Sequence, residues 1–246
     1  MTVFRRRVDI IAHHANGTGE VRAALEDDFH HFRVWVLHHD GEVTAIGGEA
    51  LRYPYSLCSQ ACGQLQQLPG MKLDRVAHSV TRQTDASHQC THLLDLAGLA
   101  IATAARGTDQ RRYEINIGQR IDNRTRAILI RDGNEDLTWE VNGTMIEGPS
   151  PYSGINLREG MARWALNALN EEAAEAALLL RRCTLISMGR AYNLDEQIHA
   201  ASTARCYSQQ PVRAEQALRM KGSTLDFSHE QASLCAQDQE WLRQRH

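Results

Sequence analysis

The sequence lacks any apolar run long enough to cross a bilayer. Its longest apolar stretches are Leu96 to Ala105 and Ala173 to Leu180, whereas a membrane-spanning helix needs about 20 apolar residues. The N-terminal residues combine three arginines with only a short apolar run, far less than the core of a secretory signal. We therefore expect a cytoplasmic protein without a membrane partner.

Lysine is nearly absent, since arginine outnumbers it by 25 to 2. The 30 acidic residues offset these charges and leave a net charge of −3, so no basic field attracts nucleic acid. Only Lys72 and Lys221 could form a Schiff base with a substrate. The six cysteines are sparse in a chain of 246 residues, and we expect them to be reduced thiols rather than a disulfide framework.

Sequence motifs for common cofactors are missing as well. The chain contains no glycine-rich phosphate loop, no GxGxxG after a strand and no GxSxG elbow. Paired CxxC motifs and HExxH are also absent. Nucleotide cofactors and the usual hydrolase chemistry therefore have no support, and we expect an activity without a cofactor.

The patterns that are present predict an α+β fold, with an antiparallel hairpin and a meander packed against several helices. β-branched residues alternate on both sides of Asp40-Gly41, which is typical of a β-hairpin over residues 31–52. From Arg111 onwards, three runs separated by turn residues predict a three-stranded meander. Apolar residues at helical spacing predict helices over 56–68, 90–105 and 157–188, and we also expect a helical tail from Pro211.

We interpret the chain as two halves, an N-terminal hairpin and helix half over 1–107 and a meander and helical half over 108–246, with one continuous domain as the alternative. A weak internal echo favours related halves. The tripeptide Pro-Tyr-Ser occurs at 54–56 and again at 151–153, each time after an Asp-Gly turn. Chance similarity explains this echo equally well.

The densest group of titratable residues is the segment Glu26 to Phe32, which contains three carboxylates and two imidazoles. Neighbouring carboxylates and imidazoles can supply a general acid and a general base near neutral pH. Because side chains alternate along a strand, only one of His30 and His31 can face a given pocket. A solvated turn before a strand is the alternative interpretation.

A second group, His88 to Asp95, lies where a helix is predicted to begin. Thr91 can cap this helix and place His92 at its N-terminus, a position that favours a neutral imidazole able to act as a base. A structural histidine beneath the cap is one alternative. A zinc ion bound by Cys58, Cys90 and His92 is another, although their spacing matches no diagnostic zinc motif.

Other aromatic and histidine residues carry weaker signals. Tyr55, Tyr152 and Tyr207 could place hydroxyl groups at the rim of an apolar pocket for an aromatic substrate. Most aromatic side chains of a globular chain belong to its core. The histidine pairs at 13–14 and 38–39 are expected to be exposed turn residues.

The order of several motifs resembles a known family. These motifs are the hairpin around Asp40-Gly41, the segment Arg52-Tyr53-Pro54-Tyr55-Ser56-Leu57-Cys58, the segment 65–71 and the helix start Cys90-Thr91-His92-Leu93. Together they are similar to a bacterial family known only as a domain of unknown function, over residues 5–105. The remainder of the chain is similar to the longer branch of that family.

This resemblance implies an activity. The longer branch is similar to proteins found with the breakdown of lignin-derived aromatic dimers, which implies a cofactor-independent lyase that releases formaldehyde from a phenylcoumaran-like substrate. Asp28, His31 and His92 could then act as the acids and bases. Tyr55 or Arg33 could stabilise the charge of a phenolate.

Three functions remain open on the sequence alone. We expect a carbon–carbon lyase, a homodimer acting on a small aromatic substrate without a cofactor. A zinc-dependent enzyme and a non-catalytic module that binds an aromatic ligand are the alternatives.

Overall fold

The structure, a computed structural model, describes residues 2–245 and confirms the predicted α+β class. Its strands are β1 (Val3–Ala15), β2 (Thr18–Asp27), β3 (His31–His39), β4 (Glu42–Arg52), β5 (Gln110–Gly118), β6 (Arg124–Arg131), β7 (Asn134–Asn142) and β8 (Met145–Gly148). They form an eight-stranded antiparallel sheet in the order β4-β3-β2-β1-β5-β6-β7-β8.

The helices follow the same chain order. Within residues 2–245 the α-helices are α1 (Thr91–Arg106), α2 (Met161–Ala168), α3 (Glu171–Ile186) and α4 (Gln239–Arg243). The 3-10 helices are Cys58–Gln67, Ala77–Arg82, Ala86–His88, Ser187–Ala191, Leu194–Glu196, Tyr207–Gln209, Gln231–Ser233 and Ala236–Asp238. Over the same residues, no helix combines the length and the apolar composition that a membrane crossing requires.

The chain forms two compact units, each assembled from several stretches. The meander unit comprises the chain up to Arg7 together with Arg112–Tyr192 and Asp226–Leu234. The histidine unit comprises Val8–Arg111, Asn193–Leu225 and the chain from Cys235 onwards. The predicted division into two halves at residue 107 stays a prediction. The two compact units are divided differently, because the histidine unit also includes stretches that follow residue 107.

Two tight turns organise the strands of the histidine unit. Asp40 and Gly41 join β3 to β4 with φ angles of 46° and 76°, the left-handed conformation that a two-residue hairpin turn requires. The predicted hairpin is therefore confirmed. Asn16 and Gly17 form a similar turn between β1 and β2. Those two strands are not evident in the sequence, because charged residues interrupt their apolar alternation.

Helix α1 is the predicted buried helix and packs against β2 and β3. It is rich in Ala and Leu, which have high helix propensity, and residues such as Leu93 and Ile101 are fully buried. Gly107 ends the helix with a φ of 67°. This left-handed residue lets its own amide and the following one bond the last carbonyl groups of the helix.

Two helix predictions need correction. The segment predicted as a helix over 56–68 takes the tighter 3-10 form, Cys58–Gln67. The tail from Pro211 is mostly irregular, and α4 is its one α-helix within residues 2–245. Contacts within the histidine unit take the place of helical hydrogen bonds in the tail. Arg219, for example, donates to the Asp195 carboxylate at 3.0 Å and to the Pro54 carbonyl at 3.1 Å.

The expectation that His38 is an exposed turn residue is wrong. His38 lies near the end of β3 and is only 7% exposed. It fills the space beside Gly19 on β2, where an added Cβ would meet the imidazole at 2.2 Å. Burial lowers the pKa of His38, and the neighbouring His14 lowers it further.

The meander unit contains the strands from β5 to β8 with helices α2 and α3. The predicted meander has a fourth strand, β8, which pairs with β7. Asn170 accepts a hydrogen bond from the amide of Ala173 at 2.9 Å and caps α3, so the helix predicted over 157–188 is divided into α2 and α3. The buried core includes Tyr113, Leu129, Trp139 and Leu180.

Gly98 of α1 packs tightly against the backbone of Ala77, and this contact generates a stability prediction. A Cβ at this position would meet the carbonyl oxygen of Ala77 at 2.1 Å. Gly98→Ala should therefore lower the free energy of unfolding by about 2 kcal/mol, because the backbone must shift to relieve overpacking. Urea denaturation would measure this loss.

Gly63→Ala is the matched control, since nothing lies within 4 Å of its added Cβ. It should change stability by less than about 0.5 kcal/mol or increase it slightly. Equal losses in the two variants would contradict the packing assigned to α1.

Candidate functional site

Titratable side chains of the histidine unit gather where a short turn joins β2 to β3. Asp27 and Asp28 are fully buried, and His30 and His31 are only 8% and 7% exposed. The backbone amide of Asp27 donates to the carbonyl of His30 at 2.8 Å and closes the turn. This burial excludes the solvated turn that the sequence left open.

Two side chains hold the turn in one conformation. Oδ1 of Asp27 accepts hydrogen bonds from the backbone amides of Phe29 at 2.7 Å and His30 at 2.8 Å. Arg52 of β4 donates to the carbonyl oxygens of Asp27 at 2.5 Å and Asp28 at 3.0 Å. The bonds satisfy backbone groups that would otherwise be costly to bury. They also fix the directions in which the two following histidine side chains leave the backbone.

Asp27, His30 and His92 form a buried cluster that we call the imidazole stack. Nδ1 of His30 lies 3.1 Å from Oδ1 of Asp27. The His30 and His92 rings stack with centroids 3.8 Å apart and planes at 28°, and Phe32 borders both rings. A carboxylate bonded to Nδ1 places the ring proton on that nitrogen and leaves Nε2 as the basic one.

Helix α1 supplies His92 from its first turn. The helix begins at Thr91, with Cys90 at the N-cap position and no side-chain cap. The prediction that Thr91 caps the helix is therefore wrong by one residue. The N-terminal end of a helix carries partial positive charge, so a proton acceptor suits the position of His92 better than a cation does.

Glu26, His31 and Asp238 form a second buried group, the carboxylate cluster. Nε2 of His31 lies 2.8 Å from Asp238, and its Nδ1 lies 3.6 Å from Glu26. Nε of Arg33 donates to Asp238 at 2.6 Å, and Arg52 lies 3.3 Å from Glu26. Each carboxylate is thus already paired with an arginine.

Asp238 dominates the electrostatics of the carboxylate cluster. Burial alone would raise the pKa of this carboxyl group, but the hydrogen bonds and charges of His31 and Arg33 outweigh it and hold the pKa of Asp238 below its ordinary value. Asp238 is therefore ionised at neutral pH. Its bonds attach residues 235–243, which we call the covering segment, to β3.

Trp241 adds a second attachment of the covering segment. The guanidinium groups of Arg22 and Arg33 each lie 5.0 Å from its ring, a distance at which cation–π attraction acts. Arg22 also donates to the carbonyl oxygen of Trp241 at 3.0 Å. Side chains alternate between the two faces of β3. One set faces α1, and the other set, which includes Arg33, contacts the covering segment.

Both clusters contain three groups that could hold a metal ion, with ligand atoms within 4.8 Å of one another. In the carboxylate cluster the arginine contacts already neutralise the carboxylates, so a cation is not needed there. The imidazole stack offers one carboxylate and two imidazoles, a donor set that zinc and iron accept. The predicted set of Cys58, Cys90 and His92 forms no such group among residues 2–245.

Burial keeps Cys58 and Cys90 protonated at neutral pH. Cys58 contacts the Ser208 hydroxyl at 3.3 Å, and burial raises its pKa to about 11. Complete burial also raises the pKa of Cys90. None of the six cysteines forms a disulfide bond, and reduced thiols stay a prediction. Because metals bind the thiolate, this environment does not favour a cysteine-bound metal.

The predicted substrate-binding residues of the histidine unit have different surroundings. Arg33 belongs to the carboxylate cluster. Tyr55 donates its hydroxyl to Gln197 at 2.7 Å, and burial raises its pKa. Tyr207 is buried, with the Arg213 guanidinium 4.1 Å from its ring centroid.

Tyr152 belongs to the meander unit. Its ring packs against those of Trp139 and Trp164, with centroid distances of 5.4 Å and 5.6 Å. Burial raises the pKa of its hydroxyl group. The surroundings of this tyrosine are those of an aromatic core residue.

The predicted catalytic residues are divided between the two clusters. His92 lies in the imidazole stack and His31 in the carboxylate cluster, while Asp28 is fully buried in the turn. The histidine that meets His92 is His30, which the sequence offered but did not favour. Asp238 has no signal in the sequence, because 207 residues separate it from His31.

The lowered pKa of Asp238 generates a prediction about pH. An acid whose pKa is lower in the folded state stabilises the fold above its unfolded pKa of about 4, and this contribution is lost as the pH falls through the folded value. Asp238→Asn should therefore lower the free energy of unfolding at pH 7 by about 2 kcal/mol, because it removes the charge that His31 and Arg33 contact. The difference from the parent protein should shrink below about pH 4.

Urea denaturation at several pH values would measure this difference. Asp122→Asn is the control, because Asp122 is exposed and an asparagine tolerates its positive φ of 49°. It should stay within about 0.5 kcal/mol of the parent protein. A loss in Asp238→Asn that does not vary with pH would contradict the assigned electrostatics.

Comparison with known proteins places the imidazole stack in a recognised domain. Residues 7–106 match a family described as Protein of unknown function (DUF2889). No curated protein matches the chain. The matched residues include β2, β3 and α1, the elements that position the stack. The resemblance of the N-terminal motifs to a family of unknown function is thereby confirmed, and residues 7–106 of this chain are similar to that family.

Proposed function

We propose that this protein is a cofactor-independent lyase that cleaves a C–C bond of a lignin-derived aromatic dimer and releases formaldehyde. The imidazole stack is the observation that carries the proposal, because it joins a buried carboxylate, an imidazole bonded to it and a second imidazole. Such groups exchange protons efficiently where little water competes. The substrate class rests on the resemblance of the sequence motifs.

The proposed reaction converts a phenylcoumaran-like dimer into a stilbene. Loss of a phenol proton opens the ether ring to a quinone methide, and the departing ether oxygen takes up a proton. A base then removes the hydroxymethyl O–H proton, the C–C bond breaks, and its electron pair forms the alkene and a phenolate. The phenolate regains a proton as formaldehyde leaves. This sequence is redox neutral, so it needs no electron acceptor.

The imidazole stack can divide these proton transfers between its rings. His92 is the proposed base for the hydroxymethyl proton, and His30 is the proposed acid for the ether oxygen. Asp27 positions His30 by accepting from Nδ1, which directs proton exchange to Nε2. Protonating both stacked rings would bring two like charges close together. A pair that carries one proton at a time provides one acid and one base.

The remaining predicted residues keep their predicted roles. Asp28 and His31 stay predicted catalytic residues, although the contacts of His31 with the covering segment suit a positioning role. Tyr55, Arg33, Tyr152 and Tyr207 stay predicted substrate-binding residues. A cytoplasmic location and a homodimer are likewise part of the proposal.

A zinc-dependent enzyme is the second candidate. It is favoured by the spacing of the ligand atoms in the imidazole stack, which all lie within 4.8 Å of one another. Three protein ligands would leave a fourth position of a tetrahedral zinc ion open for water or substrate. In this alternative Asp27, His30 and His92 are ligands rather than proton carriers.

An assay with phenolic lignin-type dimers tests the lyase. The purified protein should release formaldehyde and produce the ultraviolet band of a stilbene without an added cofactor. His92→Asn and His30→Asn should each lower kcat by about 100-fold or more, because each removes a proton-transfer group. Circular dichroism should show that both variants remain folded.

His88→Asn is the matched control, since this exposed histidine lies only four residues before His92. It should retain full activity. Full activity in folded His92→Asn would remove His92 from the proposed mechanism. No formaldehyde from any dimer of the panel would reject the proposed substrate class.

Metal analysis separates the two candidates. Protein purified without added metal should contain far less than one equivalent of zinc if the lyase proposal holds, and a chelator should leave turnover unchanged. One equivalent of zinc that is lost in Asp27→Asn and kept in His88→Asn would favour the zinc enzyme instead. Neither zinc nor turnover, with aromatic ligand binding intact, would favour a binding module.

A further inference from the structure

The meander unit contains a cavity of about 270 Å³ that the proposed lyase reaction does not use. Apolar side chains form part of its wall, among them Phe4, Ile117 and Met188. Arg120, Ser187 and Arg190 supply polar groups to the same wall. A small apolar cavity with a few convergent polar groups is the usual form of a ligand site.

Arg120 is the unusual member of this wall because no residue of the described chain, 2–245, neutralises its charge. Its Nη atoms donate only to carbonyl oxygens, those of Thr184 at 3.1 Å, Gly143 at 3.3 Å and Asn123 at 3.5 Å. Its Nε is buried and has no hydrogen-bond partner. Among residues 2–245, no carboxylate forms an ion pair with this guanidinium, and burial lowers its pKa without any opposing charge.

Arg190 lies on the same wall, but a carboxylate of the protein pairs with its charge. It lies 3.0 Å from the carboxylate of Asp226 and 3.2 Å from the hydroxyl of Ser228. Its charge is therefore balanced within the protein. The cavity thus offers one uncompensated positive charge, which a single negative charge of a ligand would neutralise.

We propose that this cavity binds a small organic monocarboxylate with an apolar body, of about the size of benzoate. The uncompensated guanidinium of Arg120 selects an anion, because carboxylates bond arginine strongly where water is excluded. The apolar wall selects a ligand with a hydrocarbon portion over a fully hydrated ion such as phosphate. The volume lies slightly below the range typical of drug-sized ligands, so the ligand is small.

Isothermal titration calorimetry on the full chain tests this proposal with sodium benzoate as the probe. Benzoate should bind with one site per chain. Benzamide has the same shape without the charge and should bind about tenfold more weakly or not at all, because it cannot neutralise Arg120. Benzamide binding as well as benzoate would overturn the proposal, as would phosphate binding as tightly.

Two variants locate the site. Arg120→Gln should weaken benzoate binding by about tenfold or more, whereas Arg126→Gln, an exposed arginine of β6, should leave it unchanged. Ala191→Phe should also abolish binding, because Ala191 lines the cavity and its exposed position can accept a larger side chain while the protein folds. Unchanged binding in either Arg120→Gln or Ala191→Phe would overturn the proposal.

A third variant separates this cavity from the proposed lyase site, which would also attract aromatic compounds. His92→Asn should bind benzoate as tightly as the parent protein. Loss of binding in this variant would place benzoate at the imidazole stack and overturn the proposal. The binding result does not depend on lyase activity, so the two proposals can fail separately.

Discussion

The turn between β2 and β3 depends on one buried carboxylate. Asp27 accepts hydrogen bonds from two backbone amides and contacts the ring of His30. Without these bonds the turn would bury unsatisfied amide groups, at a cost of about 1–3 kcal/mol for each. The same bonds decide that His30 meets His92 on α1 while His31 meets Asp238. Both titratable clusters of the histidine unit therefore depend on the conformation of this turn.

Local sequence signals were sufficient for elements defined by near neighbours. The Asp40-Gly41 hairpin and helix α1 with its Gly107 stop follow from turn chemistry and helix propensity. Strands β1 and β2 have no such signal, because their charged side chains are accommodated by partners elsewhere in the chain. The buried Arg22, for instance, donates to the carbonyl oxygen of Trp241 at 3.0 Å, and its guanidinium lies 5.0 Å from the Trp241 ring.

Local sequence signals likewise predicted only part of the candidate site. The sequence identified the segment that contains Asp27 and His30, and it identified the helix start that contains His92. Strand alternation also predicted that neighbouring histidines face opposite sides. It could not decide which histidine faces His92, because that choice depends on how α1 packs on the sheet. The contact of Asp238 with His31 could not be predicted at all, since no local sequence pattern indicates a contact between residues 207 positions apart.

The long separation between His31 and Asp238 has a consequence for the kinetics of folding. Closing a loop of 207 residues carries a larger entropic cost than closing the two-residue turns or forming α1. The hairpins and the helix can form on the microsecond scale of local structure. The carboxylate cluster joins parts of the chain that are 207 residues apart, so we expect Trp241 to contact Arg22 and Arg33 only after the strands that carry these arginines have paired.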